Sequence, residues 1–276
     1  MSRVNNNNIN NKPIGVFDSG VGGLSVLLEL QKDLPNENFV FLADQLYLPY
    51  GEKSKQKLVS RVYKISDYFI RQHDIKMMVV ACNTATSNTI VELRKKYNFP
   101  IVGTIPAIKV AAQKTKTKSV AIISTVSTSK SLALNDLIKN YCVGVNTINI
   151  GCRGLVELVE QGELSGNKVS NLILKYLEPV VDYDVDYLVL GCTHYPFLKK
   201  AIKKIVGRKV VLLDSGKAIA RQTKSLLIKH NINNPSSRAK LTTGQIKYFT
   251  TGDALKFSKI SNILLHEKID VKKIKI

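Results

Sequence analysis

Two stretches of the chain, 110 residues apart, share one unusual pattern. Asp74–Thr84 runs D-I-K-M-M-V-V-A-C-N-T, and Asp184–His194 runs D-V-D-Y-L-V-L-G-C-T-H. Each is a short apolar run followed by a small residue, a cysteine and two polar residues. Such a run predicts a strand buried on both faces of a parallel sheet. Ile90, Leu93 and Tyr97 after the first copy, and Leu198, Ile202 and Ile205 after the second, predict amphipathic helices, with Pro196 opening the second. Cys82 and Cys192 thus fall on strand-to-helix turns at the carboxyl ends of strands, where open α/β sheets take their ligands. A helix start offers free N–H groups that favour an anion or a thiolate. One buried cysteine behind a strand is usually only a small hydrophobe. Two in equivalent positions of two α/β halves need a further explanation.

The rest of the chain fits the same alternation. Pro13–Phe17 predicts a strand, Asp18-Ser19-Gly20-Val21-Gly22-Gly23 a turn, and Leu24, Leu27, Leu28 and Leu34 a helix. The glycines lack the G-x-G-x-x-G spacing of a dinucleotide loop, and no Lys-Ser/Thr pair follows them. A tight turn with positive φ accounts for the glycines but not for Asp18, which is expected to point into the crevice. Phe39–Leu42 predicts a strand ending at Asp44, and Leu48-Pro49-Tyr50-Gly51 a type I or II turn. A helix over about Lys53–Arg71 presents Leu58, Val62, Ile65 and Phe69 on its inner face.

Phe99–Val102 carries the chain out of the first half, and Ser119–Ile123 is the next strand. The hydroxyl-rich Ser124–Ser129 turn, with Thr128, either caps the Leu132–Ile138 helix or donates to a carboxylate. Cys142 is expected in the core and Cys152 near a turn; neither has zinc-ligand spacing, so no metal site is expected. Val156, Val159 and Glu160 predict a short helix, and Lys168–Val180 a longer one. Val210–Leu213, with Asp214-Ser215-Gly216 after it, returns the chain to the first half. Tyr248-Phe249-Thr250-Thr251-Gly252-Asp253 is a late strand and turn, and the remainder reads as a weak edge or a loose tail.

With 276 residues and 44% apolar content the chain can bury a real core. Its Asn-rich start predicts a disordered tail over 1–12. No signal-peptide pattern and no membrane-length apolar run is present, so a cytoplasmic protein with four reduced cysteines is expected. The net charge of +20 comes from lysines scattered among Asn and Ile. A nucleic-acid surface would cluster its cations among aromatics, so that partner is not expected. An anionic small molecule would still be favoured by the field.

Two thiols facing one bound molecule suit inversion of a stereocentre, one removing the α-proton and the other returning a proton to the opposite face. The rival, acyl transfer by a Cys192–His194 pair, needs only one thiol. No pyridoxal or nucleotide motif is evident, and a cofactor-free reaction is the simpler expectation. Ser19, Asn83, Thr84 and Thr193 are placed to meet a substrate carboxylate, and Asp18 and His194 to hold or relay protons.

F-D-S-G-V-G-G-L-S-V from Phe17, P-Y-G from Pro49, A-C-N-T-A-T from Ala81 and G-C-T-H-Y-P from Gly191 together resemble the aspartate/glutamate racemase family. The similarity runs from about Pro13 to Gly252. His194 stands where aspartate racemases usually carry Glu, which tilts the resemblance toward glutamate. It implies two pseudo-symmetric three-layer α/β domains with mostly parallel sheets facing one cleft, 13–104 plus 214–276 and 105–213. It also implies cofactor-independent interconversion of L- and D-glutamate, supplying D-glutamate for peptidoglycan, in a possible homodimer. By position, Cys82 is the base acting on D-glutamate and Cys192 the base acting on L-glutamate. Asp18, Ser19, Pro49, Tyr50, Gly51, Asn83, Thr84, Thr128, Thr193 and His194 match substrate-contact positions, and Asp44 and Glu160 match acidic supports. The chain departs from the family at Gln45-Leu46-Tyr47-Leu48, where an Ala-Arg pair is usual, at Arg153-Gly154, where Pro is usual, and at Ser124-Thr125, where Gly-Thr is usual. Another small acidic or hydantoin-like amino acid remains a rival substrate.

Overall fold

The computed structural model describes residues 9–234 and 244–276. Its strands are β1 (Ile14–Asp18), β2 (Phe39–Ala43), β3 (Met77–Val80), β4 (Ile101–Gly103), β5 (Ser119–Thr125), β6 (Asn146–Cys152), β7 (Tyr187–Leu190), β8 (Val211–Leu213), β9 (Ile246–Thr250) and β10 (Val271–Lys273). They form two sheets, ordered β10-β9-β2-β1-β3-β4 and β6-β5-β7-β8. Every pairing is parallel, as expected of the unbroken apolar runs of β2, β3 and β7. The first sheet therefore draws on both ends of the chain and the second on its middle. The α/β class with two parallel sheets is as expected from the sequence.

Register decides what reaches the strand ends. Phe17 pairs with Val80 and Asp18 with Ala43, so Asp18, Asp44 and Cys82 emerge along one edge of the first sheet. Thr125 pairs with Cys152 and Ile123 with Leu190, which brings Thr125, Cys152 and Cys192 to the matching edge of the second. The twofold repeat extends to the backbone. Asp74 and Asp184, which open the two copies, are both left-handed, with φ of 47° and 46°. A short polar side chain tolerates that conformation better than a branched one.

The Lys55–His73 helix shows how sequence fixes an element here. Ser54 Oγ accepts from the Lys57 N–H at 3.4 Å, and left-handed Asp74 ends the last turn. Leu58, Val62, Ile65 and Phe69 are all buried beneath it. Each is worth roughly 1.5–3 kcal/mol over leaving it exposed. A single apolar core runs from the Leu24–Asp33 helix across the first sheet to the Asn167–Asp182 helix beside the second.

Several expectations need correction. None of Gly20, Gly22 and Gly23 has a positive φ; Gly20 is extended, at −159°. They are glycines because of crowding: a Cβ at Gly22 would overlap the His194 ring, and one at Gly23 would come within 2.5 Å of Asp18 Cβ. The Leu48–Gly51 stretch is not a type I or II turn but a cis Leu48–Pro49 bond followed by a 3-10 turn at Tyr50–Glu52. Pro196 lies in a 3-10 turn, Tyr195–Leu198, ahead of the Lys199–Val206 helix. Cys152 ends strand β6, directly before the bend at Arg153–Gly154, in keeping with its expected place near a turn. After Asp253 comes no loose tail but the Ala254–Leu265 helix, which buries Phe257, Ile260 and Leu264, and then the β10 edge. Most of the expected N-terminal tail, 1–8, lies outside the described residues. At its end Lys76 Nζ donates to the Asn10 carbonyl at 2.5 Å and Asn38 Nδ2 to that of Asn11 at 3.1 Å. Among the described residues, no helix is long and apolar enough to cross a membrane.

Candidate active site

The two sheet edges enclose a cavity of about 250 Å³, and both Cys82 and Cys192 line it. Ser19, Pro49, Tyr50, Gly51, Asn83, Thr84, Thr193 and His194 line it with them. Asp18, Asp44, Thr128 and Glu160 stand one layer behind the wall.

Cys82 caps the Asn83–Lys96 helix, its sulfur accepting from the Ala85 N–H at 3.5 Å. Its S–H donates to Ser19 Oγ at 3.8 Å, and Ser19 Oγ donates in turn to Asp18 Oδ1 at 3.1 Å. Burial, then the neighbouring Asp18 charge, pushes this thiol well above the usual thiol range. Cys82 therefore rests protonated at neutral pH. Asp18 does not point into the crevice: it is wholly buried, accepting also from Ser19 N at 2.6 Å and from Thr193 Oγ1 at 2.7 Å. Burial raises its carboxyl despite the opposing His194 charge and these donors.

Cys192 has a different companion. Its sulfur is 3.7 Å from His194 Nδ1, and His194 Nε2 is 2.7 Å from Glu160 Oε1. Burial works against the imidazolium, but Cys192 and Glu160 outweigh it and hold His194 well above its ordinary value. Glu160 is held below the carboxylate range by His194, Gln45 and the Val21 N–H, although burial opposes this. A pH dependence follows from the linkage of titration to folding. Stability from His194 is fully present below about pH 6.5, its unfolded value, and is lost as pH rises through the raised folded value. Urea midpoints measured upward from about pH 6.5 should therefore fall more steeply in the parent protein than in His194→Asn.

The remaining polar residues form two groups. Asp44 accepts from both Arg61 Nε at 2.8 Å and Tyr50 OH at 2.7 Å, and from Thr251 Oγ1 at 2.9 Å. Asp44 thus supports the wall residue Tyr50 and touches neither thiol, whereas Glu160 is one residue away from Cys192. Thr84 Oγ1 lies 3.0 Å from Thr125 Oγ1 and 3.2 Å from Thr128 Oγ1, joining the two sheets through hydroxyls. Thr125 Oγ1 also accepts from Thr128 N at 3.3 Å, capping the one-turn Val126–Ser129 helix within the hydroxyl-rich stretch. The Leu132–Tyr141 helix is capped instead by Ser131, and Thr125 forms part of the cleft wall. Asn83 Oδ1 is buried without a hydrogen-bond partner, an acceptor left for a bound donor.

The sequence gives no sign of Glu52 or Glu157 as wall residues; Arg153 stands out only as a departure from the family pattern and Cys152 only as a residue near a turn, and both line the cleft. Cys152 is a third thiol at the cleft, pushed up to about 12 by burial and then by Cys192. Only the β5–β6 register, Thr125 against Cys152, could have placed it there.

A two-lobed α/β enzyme, with a cleft between its sheets lined by thiols, hydroxyls and apolar side chains, is what this fold and site define. Residues 30–223 match the Asp/Glu/Hydantoin racemase family. The glutamate racemase of Herpetosiphon aurantiacus is 40% identical over 253 residues, covering 92% of this chain and 98% of that protein. Glutamate racemase isoform RacE1 from Bacillus anthracis superposes with a TM-score of 0.85 at 30% identity, covering 97% of this chain and 98% of that one. The glutamate racemase of Francisella tularensis, solved in complex with D-glutamate, gives a TM-score of 0.83 at 27% identity, with 97% and 98% covered. The chain belongs to the Asp/Glu/hydantoin racemase family, and it is an isomerase of the racemase kind.

Proposed function

We propose that the protein is a cytoplasmic glutamate racemase that needs no cofactor, moves the Cα proton with Cys82 and Cys192, and supplies D-glutamate for peptidoglycan. The observation that carries this reading is that both thiols, one from each sheet, line the same small cavity. The choice of glutamate rests on the relatives' names and on His194.

The two thiols are prepared differently, and the difference suits the two roles. Cys192, with His194 Nδ1 3.7 Å from its sulfur to hold or relay a proton, takes the α-proton of L-glutamate, the role its position in the family pattern implies. Cys82, protonated at rest, delivers a proton to the opposite face and leaves D-glutamate. The reverse reaction starts from the opposite proton distribution, which Ser19 and Asp18 can help set on the Cys82 side. The substrate carboxylates meet the N–H groups at the start of the Asn83–Lys96 helix and the hydroxyls of Ser19, Thr84 and Thr193. Asn83 Oδ1 accepts from the ammonium group.

Incubation with L-glutamate in heavy water tests the reading directly. D-Glutamate carrying deuterium at Cα is expected. Inversion of aspartate without inversion of glutamate would overturn the substrate assignment.

A further inference from the structure

Glu160 is held from three sides, and one of its holders belongs to no motif. Gln45 Nε2 donates to Glu160 Oε2 at 2.8 Å, while Thr250 Oγ1 donates to Gln45 Oε1 at 3.0 Å. Thr250 is wholly buried and accepts from the Gly252 N–H at 3.0 Å. These donors fix which end of the amide faces Glu160, because only the NH₂ end can donate to a carboxylate. Two glycines clear the space. A Cβ at Gly252 would lie 2.9 Å from Gln45 Cβ, and one at Gly20 would overlap the Glu160 carboxylate.

We propose that Gln45 is a positioning residue for the Cys192 half of the site: by gripping Glu160 from the first sheet, it keeps His194 Nδ1 turned toward Cys192 Sγ. The kinetic consequence rests on the racemase reading above; the geometric one does not. An amide suits the task because it is neutral. A cation here would compete with His194 for the Glu160 carboxylate, whereas Gln45 orients that carboxylate and leaves its charge to the imidazolium. The titratable groups facing His194 are Cys192, Glu160 and Asp18, and Gln45 touches only Glu160 among them.

Gln45→Leu in the full chain is the test, with kinetics in both directions and ¹⁵N NMR titration of the His194 ring, assigned by comparison with His194→Asn. The expected result is a fall in kcat of about 10-fold, a smaller change in KM, and a His194 midpoint moved downward as the Glu160 contact loosens. A midpoint that stays in place or moves up overturns the proposal even where kcat falls, because general loosening lowers activity without shifting a titration. Should Gln45→Leu not fold, Thr250→Val frees the amide to turn and is read by the same criterion. The ring titration needs no substrate. A parent protein that fails to invert glutamate would sink the racemase reading, while the NMR still decides the role of Gln45.

Discussion

Cys82→Ser and Cys192→Ser are each expected to lower glutamate racemisation by at least about 10³-fold, in both directions. In the two-base mechanism proposed above, each thiol serves as base in one direction and as acid in the other, so neither direction should survive the loss of either group. A serine hydroxyl keeps the shape but is far less acidic than a thiol, so it is a poor base near neutral pH. The double variant should be scarcely worse than either single one, as with other residues that act as a unit. The measurement is deuterium wash-in at Cα with chiral separation of the products. Both variants should lose deuterated product of inverted configuration. A Cys82→Ser enzyme that kept its activity, beside a dead Cys192→Ser, would turn the site into a one-thiol nucleophile.

The largest effect on stability is expected at Asp44. Its pairing with Arg61 is buried, the two side chains being 0% and 2% exposed, and Tyr50 and Thr251 also donate to the same carboxylate. Asp44→Ala leaves the guanidinium uncompensated in the interior and should cost about 3–5 kcal/mol. Removing both charges together, as Asp44→Leu with Arg61→Met, should cost far less, since the desolvation of two ions is relieved along with their attraction. Urea unfolding of the three variants checks this. If Asp44→Ala and the double variant are equally unstable, the loss is one of packing and not of an orphaned charge. The same variant frees the Tyr50 hydroxyl at the cleft wall, so its KM for glutamate should rise as well.

The elements easiest to read in the sequence were those whose burial leaves one solution. β3 and β7 are fully apolar runs in central positions, and the cysteines behind them are fixed by strand length alone. β6 escaped because it lies at the edge of its sheet. Asn146, Thr147 and Asn149 face partly outward there, and such polar alternation looks like a loop. The Gly20–Gly23 turn was legible as a feature but not in its cause. The crowding at Gly20 and Gly22 comes from Glu160 and His194, well over a hundred residues away, and no local rule carries that information. Gln45 was legible only as a departure, since its partners Glu160 and Thr250 lie on other strands and helices.

The kinship between the two halves has a consequence for kinetics. Asp74, β3 and Cys82 in one half match Asp184, β7 and Cys192 in the other in sequence and order, but the two enantiomers of glutamate are mirror images, which no rotation superimposes. A perfectly symmetric pair of halves would therefore not serve them equally, and Ser19–Asp18 on one side against His194–Glu160 on the other breaks the symmetry. Enantiomers have equal free energies in water, so kcat/KM must be identical in the two directions whatever these groups do. The asymmetry can show only as offsetting differences in kcat and in KM, the tighter-bound hand being the one turned over more slowly.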